Sequence, residues 1–341
     1  MVTMKEIARL SGYSRTTVSA VLSRKPGISE RATRKILEIV ERYNYRPSLI
    51  ASTLVGKSSN LIGVVVRDMM NPWYAGLARG IESVISETGF NLLFFSTKED
   101  PVREVQAIQT MAAYQVDGLI LGPVLTNPDH EHIWLFIRNK RPLICLNKIP
   151  GLDVDFITFQ NEQTGWLVAD YLHEIGHRNI AYLCGNPGSH VCEERLRGFM
   201  IGLTNQRLDF DPARIAIPCG ATSQQGYETA LHVLKRPSRE RPTALFCFND
   251  QVAVGVYKAA HELGIRIPNE LSVVGVDDID IASMLGPPLT TVSFSIHEVG
   301  RFVAKELLAR VRNEHPTGRL DRVFTPTLVK RGSTAPIGRP A

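Results

Sequence analysis

The chain has 341 residues, 44% hydrophobic and 21% charged, the balance of a soluble globular protein long enough for two or three domains. No apolar run approaches the roughly 20 residues of a membrane helix, and residues 1–6 hold no apolar signal core, so a cytoplasmic protein is expected. The formal charge of +5 is unevenly placed: residues 1–60 hold 11 Lys and Arg against 4 Asp and Glu, a net +7, and the rest hold 28 against 30, a net −2, so a basic head for a polyanion sits on a near-neutral body.

Three short helices are expected first. Thr3-Met4-Lys5-Glu6 is a capping box, in which the Thr3 hydroxyl accepts from the Glu6 amide and the Glu6 side chain reaches back. Ile7, Ala8 and Leu10 follow, and Ser11-Gly12 ends the helix. Ser14 caps a second helix, Arg15 to Leu22, with Val18, Val21 and Leu22 on one face. Lys25-Pro26-Gly27 is a turn. Ser29 caps a third helix, Glu30 to Tyr43, with Ile36, Val40 and Tyr43 at helical spacing. Helix, four-residue break, helix is the helix-turn-helix pattern. Residues 47–60 read as a linker with a short helix from Pro47 to Gly56, too short to be stable without a partner.

From residue 61 strands and helices alternate. Apolar strands are expected at 61–66, 91–95, 118–121 and 143–146, with helices near 73–88, 102–114 and 129–139. A second set has strands near 180–184, 214–217, 243–247 and 271–276 and helices near 162–175, 192–204, 223–234 and 250–263. Such alternation implies parallel sheets covered on both faces, here two Rossmann-like subdomains. A strand near 290–293, a helix at 296–312 and a last strand at 323–329 remain, and the Gly/Pro-rich tail 332–341 is expected to be loose.

No enzyme signature is found: no GxGxxG follows the first strand, and there is no Walker or GxSxG sequence. His173 and His177 lie four apart but lack the HExxH sequence. The five cysteines, Cys145, Cys184, Cys192, Cys219 and Cys247, form no CxxC pair and read as buried reduced thiols. No metal, cofactor or catalytic role is expected.

The stretch from Thr3 to Gly12, Thr16-Thr17-Val18-Ser19, and Tyr45-Arg46-Pro47 followed by Ala51 and Leu54 resemble the lactose/galactose repressor (LacI/GalR) family. So do Asn71-Pro72-Trp73-Tyr74, Val116-Asp117-Gly118-Leu119-Ile120, Gly176-His177-Arg178, Arg195-Leu196-Arg197-Gly198-Phe199, Asn249-Asp250 and Val273 to Asp278, in order along nearly the whole chain. The resemblance implies an α/β fold: a helix-turn-helix head (1–46), a hinge helix and linker (47–60), and a body of the periplasmic-binding-protein type (61–331). Within that body, subdomain one would comprise about 61–160 and 290–318, and subdomain two about 161–289 and 319–331. It further implies a homodimeric repressor that binds a pseudo-palindromic duplex operator and holds a small-molecule effector between the subdomains.

In a helix-turn-helix the start of the second helix enters the major groove, which brings Arg15 and Thr16 to base edges and Ser14 and Thr17 near phosphates. Arg15 is otherwise a solvated surface residue. Ala20, where many relatives carry a long polar residue, can offer only a methyl contact. The resemblance adds Thr3, Ser48, Ala51 and Lys57 to the DNA-contacting set. It makes Leu54 a wedge between base pairs, the alternative being a helix-packing leucine. For the effector it implies Trp73, Tyr74, Lys148, Gln160, Arg195, Asn249 and Asp277, each of which could instead make structural contacts. The aromatic pair follows the first strand's carboxyl end, where open α/β sheets bind ligands. Lys148 is either a partner for a carboxylate or phosphate or a solvated lysine. Ser189 and Ala221 lack the basic and aromatic side chains of a purine-sensing relative, which puts a sugar or sugar derivative first.

Overall fold

Each N-terminal helix starts where a short polar side chain can take up an amide that the helix leaves free. The computed structural model describes residues 2–22, 26–45, 58–126, 129–186, 188–207, 215–237, 239–314 and 318–337. It divides into two compact units, 1–59 and 60–341. In the first, α1 (Met4–Ser11) opens with the expected capping box and ends on Gly12 at φ 74°. Helix α2 (Arg15–Leu22) opens with the Ser14 hydroxyl accepting from the Thr17 amide at 3.1 Å. Helix α3 (Glu30–Arg42) is capped by Ser29. Ile7, Val18 and Ile36 are wholly buried at the centre of this bundle. Tyr43, expected on the inner face, is 44% exposed, and Tyr45 is buried in its place. The reason is local: Asn44 takes φ 44° and the Tyr45 amide donates back to the Val40 carbonyl at 2.8 Å, which turns Tyr45 inward. The expected hinge helix, with Ser48, Ala51, Leu54 and Lys57, lies outside the described residues.

The second unit holds two six-stranded sheets. The strands of the first are β1 (Leu61–Val66), β2 (Asn91–Ser96), β3 (Gly118–Leu121), β4 (Leu143–Cys145), β5 (Asp155–Phe159) and β11 (Asp321–Phe324), in the order β11-β5-β4-β3-β1-β2 and all parallel. Those of the second are β6 (Ile180–Cys184), β7 (Ala216–Pro218), β8 (Ala244–Cys247), β9 (Ser272–Val276), β10 (Thr290–Ser293) and β12 (Thr327–Val329), in the order β12-β10-β9-β8-β6-β7. Only β12 runs antiparallel to its neighbour among these pairs. Helices α4 (Pro72–Ile85), α5 (Pro101–Ala113), α6 (Glu131–Arg138), α7 (Asn161–Glu174), α8 (His190–Asn205), α9 (Ser223–Leu234), α10 (Asp250–Glu262) and α11 (Ile296–Val311) cover the sheets. The central strands β1, β3, β4, β6, β8 and β9 are buried between the helix layers and read as apolar runs, whereas the edge strand β11 is mostly exposed.

Three expectations about the crossovers are corrected. Strand β10, assigned to subdomain one within 290–318, pairs with β9 and β12 in the second sheet; only α11 returns to the first, burying Val299, Val303 and Leu307 there. The expected strand at 323–329 is two strands in different sheets, separated at Pro326, which lacks the N–H to continue a ladder. Strand β11 therefore belongs to the first sheet, not to subdomain two. The tail is docked as far as Ile337: the buried Ser333 hydroxyl donates to the Val273 carbonyl (2.6 Å) and accepts from the Thr290 amide (2.7 Å). It thereby satisfies backbone groups at the edges of β9 and β10 that would otherwise be buried unpaired.

Candidate functional site

The carboxyl ends of strands from both sheets face one cleft of about 550 Å³. Its lining residues follow the strands directly: Arg67 after β1, Asn147 after β4, Asn186 after β6, Phe248 and Asn249 after β8, Asp277 after β9. That is the crevice where a doubly wound sheet leaves room for a ligand.

One wall is aromatic. The Asn71 side chain caps α4 by accepting from the Trp73 amide at 3.0 Å, which fixes Trp73 over the cleft. The Trp73 ring meets Tyr74 edge-on at 4.8 Å and Phe159 at 5.6 Å, and Phe159 meets Phe294 at 5.1 Å. Tyr74 is buried, and its hydroxyl accepts from Arg67 Nε at 2.9 Å.

The opposite wall is polar and built around Arg195, only 6% exposed. Its Nε donates to Asn161 Oδ1 (3.2 Å), its Nη1 to the Phe248 carbonyl (2.5 Å), and its Nη2 lies 4.0 Å from Asp277 Oδ1. The guanidinium also stacks 5.0 Å from the Phe248 ring centroid. Glycines let α7 and α8 approach closely enough to present it: a Cβ on Gly165 would lie 1.9 Å from the Arg195 carbonyl oxygen. Asp277 has φ 112° and Asp278 φ 54°, left-handed conformations that cost side-chain-bearing residues energy and concentrate at functional sites. Arg331 holds that turn by donating to Asp278 at 2.6 Å. Burial pushes the Asp277 carboxyl up to about 7, and Arg195 opposes this only in part. Beneath it, the buried Asp250 accepts from the Thr291 hydroxyl (2.6 Å) and the Ile279 amide (3.0 Å). Burial, then Asp277, raises Asp250 well above the usual carboxylate range.

Of the residues expected to meet an effector, Trp73, Tyr74, Arg195, Asn249 and Asp277 come together here. Asn249 is also structural: its Oδ1 caps α10 through the Val252 amide (2.9 Å) and its Nδ2 donates to the Ala221 carbonyl (3.0 Å), leaving one N–H. Lys148 and Gln160 do not join. Lys148 is exposed, with its ammonium 5.7 Å from the Phe156 ring. Gln160, between the end of β5 and the start of α7, is exposed, while Phe159 and Asn161 on either side of it line the cleft. Sequence reading missed Asn147, Phe159, Asn161, Asn186 and Phe248, whose available signal was position just past a strand's carboxyl end. Two hydrogen bonds bridge the subdomains near the cleft: Gln251 Nε2 to the Met70 carbonyl (3.2 Å) and Arg79 to Asp280 (3.4 Å).

In the N-terminal unit, Ser14, Arg15 and Thr16 are exposed at the start of α2, and Thr17 and Ala20 are half-buried. Ser14 and Thr17 share a hydrogen bond of 2.9 Å that uses one of their two hydroxyl hydrogens, so the other is left to donate. Thr3 is committed to its cap: its hydroxyl donates to Glu6 Oε2 (3.0 Å) and accepts from the Glu6 amide (3.3 Å), which leaves no hydrogen for a phosphate. His177 spends both ring nitrogens on structure, 2.9 Å from the Thr243 and Ser272 hydroxyls, and burial lowers its pKa to about 4. No described helix is long and apolar enough to cross a membrane.

A basic three-helix head joined to a two-lobed body with a cleft at its strand ends defines a ligand-responsive DNA-binding regulator. Residues 3–48 match the bacterial regulatory proteins of the lacI family, and residues 169–334 match the periplasmic binding protein-like domain. The chain is 34% identical over 336 residues to the ribose operon repressor of Haemophilus influenzae, covering 98% of each. It is 30% identical over 338 residues to the transcriptional repressor PurR of Aliivibrio fischeri, again over 98% of each. The Lac repressor dimer bound to operator and the anti-inducer ONPF aligns over 98% of this chain and 99% of that one, with a TM-score of 0.82 and 26% identity. The chain belongs to the LacI family: it is a DNA-binding transcription regulator.

Proposed function

We propose that the chain is a homodimeric, non-enzymatic repressor that binds a pseudo-palindromic operator and that a sugar, foremost a pentose, controls this binding from the cleft between the subdomains. The observation that carries this reading is the pairing, across one cavity, of the Trp73 and Phe159 faces with the buried Arg195 and Asp277. An aromatic face suits the C–H face of a sugar ring, and a guanidinium beside a carboxyl can donate to and accept from neighbouring hydroxyls. The name of the Haemophilus influenzae relative supports ribose. On the DNA side, Arg15 and Thr16 would read base edges, Ser14 and Thr17 would contact phosphates, and Ala20 would offer a methyl. Leu54 and its neighbours in the hinge would enter the minor groove.

A purine effector is the second reading, favoured by the relative named PurR and by aromatic rings that could stack on a base. Ser189 and Ala221 count against it, since neither brings a basic or aromatic group to the lining. Calorimetry of the full chain with a panel of pentoses and purine bases separates the two. Saturable binding of a pentose, abolished by Arg195→Ala, supports the proposal; purine binding without pentose binding overturns it.

A further inference from the structure

Two donors converge on one sulfur beside the cleft. Cys184 closes β6 and Cys192 lies in the first turn of α8, whose amide at that residue is capped by the Ser189 hydroxyl at 3.4 Å. The Gly185 amide donates to Cys192 Sγ at 3.1 Å, short for a contact to sulfur, and the Tyr182 hydroxyl donates to it at 3.9 Å. Cys184 shares a buried core cluster with Cys192, and its own thiol donates to the Tyr182 carbonyl at 3.8 Å. Arg195, one turn further along α8, adds positive charge. An acceptor surrounded by donors, near a helix start and a guanidinium, favours the thiolate, the nucleophilic form.

We propose that Cys192 and Cys184 form a redox pair in the wall of the cleft, which a peroxide converts to a disulfide. The Cys192 thiolate attacks one peroxide oxygen, breaking the O–O bond, giving Cys192 sulfenic acid and releasing hydroxide. The Cys184 thiol then displaces the sulfenic oxygen, forming the S–S bond and releasing water. Hydrogen peroxide gains two electrons and the two sulfurs lose one each. Neighbouring Cys184, then the Gly185 and Tyr182 donors, also hold the Cys192 thiol below the usual range against the effect of burial, while Cys184 is raised. The other three cysteines lack this setting. Cys145 and Cys247 are wholly buried, and burial raises Cys219. The Cys192 neighbours Ser189, Val191 and Arg195 line the cleft, the side from which peroxide would approach. The bridge would tie the start of α8 to the end of β6 and withdraw the acceptor of the Gly185 amide, beside Asn186 in the lining. This does not depend on which effector the cleft takes.

The test treats the full chain with hydrogen peroxide, blocks free thiols with N-ethylmaleimide and maps the peptides by mass spectrometry. The expected result is loss of two of the five thiols, a linked peptide pair containing residues 184 and 192, and recovery of both thiols with dithiothreitol. In Cys184→Ser, Cys192 sulfenic acid should be captured by dimedone; in Cys192→Ser, no disulfide should form. Retention of all five thiols by the wild type, or oxidation of Cys219 with the pair untouched, overturns the proposal without recourse to either variant.

Discussion

Replacing Asp277 with Asn removes the ionisation of a buried carboxyl in the cleft while keeping its shape. Asp277 is 7% exposed, and its carboxyl is raised from 3.8 to about 7. At about 1.4 kcal/mol per pKa unit, that gap corresponds to roughly 4 kcal/mol. The sign follows from which state holds the proton. The folded chain binds it more tightly, so the unfolded chain loses it first. The contribution is complete below about pH 4, falls as pH rises towards 7 and is level above that. Asp277→Asn cannot ionise and should lack this slope. Asp250 is present in both proteins, and its main cause of a raised pKa, burial, is kept in the variant, so the difference between the two curves is dominated by Asp277. Urea unfolding followed by tryptophan fluorescence from pH 4.5 to pH 8 measures it. The variant should gain roughly 3–4 kcal/mol on the wild type across the range. Parallel curves would mean that Asp277 is charged throughout and would refute the reasoning.

Arg15→Ala should remove roughly 1–3 kcal/mol of discrimination between operator and random DNA; equal losses on both, at two salt concentrations, would exclude base reading. Arg195→Ala strands Asn161 Oδ1, the Phe248 carbonyl and the Asp277 carboxyl, so calorimetry should find effector affinity reduced at least about 100-fold, consistent with one or two charged hydrogen bonds, while operator affinity without effector is unchanged. Normal effector binding would contradict its role. Gly165→Ala places a methyl against the Arg195 backbone and should cost about 1–3 kcal/mol by forcing α7 from α8; an unshifted thermal midpoint would show that the helices have room.

Features decided within a few residues were legible in advance. The caps Thr3, Ser14 and Ser29 lie beside the amides they satisfy, and helix starts followed from them. The alternating apolar segments marked most strands, although β5, half-exposed in pattern, was overlooked. Sheet membership is set by partners far along the chain. Nothing near Thr290 says whether β10 pairs with β9 or crosses over, and the clue at Pro326 was a single residue. The tail looked loose by composition because its order comes from Ser333 bonding to strands 43 and 60 residues earlier. In the cleft, Trp73, Arg195 and Asp277 were legible through the family resemblance and their places at strand ends. Gln160 lies outside the lining because it sits at the junction of β5 and α7, with Phe159 and Asn161 turned to the cleft on either side. The shared burial of Cys184 and Cys192 was invisible because a turn that includes Gly188, at φ 75°, carries the chain from β6 back to α8.

The central claim is that one chain couples operator binding by its head to a sugar in its cleft. The direct measurement selects the preferred duplex from a randomised pool with the full chain, then titrates that duplex by fluorescence anisotropy with and without the pentose that binds. The account predicts a pseudo-palindromic site and an affinity that the sugar changes by at least about fivefold, the lower end of ordinary allosteric coupling. Affinity that is unchanged at saturating sugar, or a selected site with no two-fold symmetry, would contradict it.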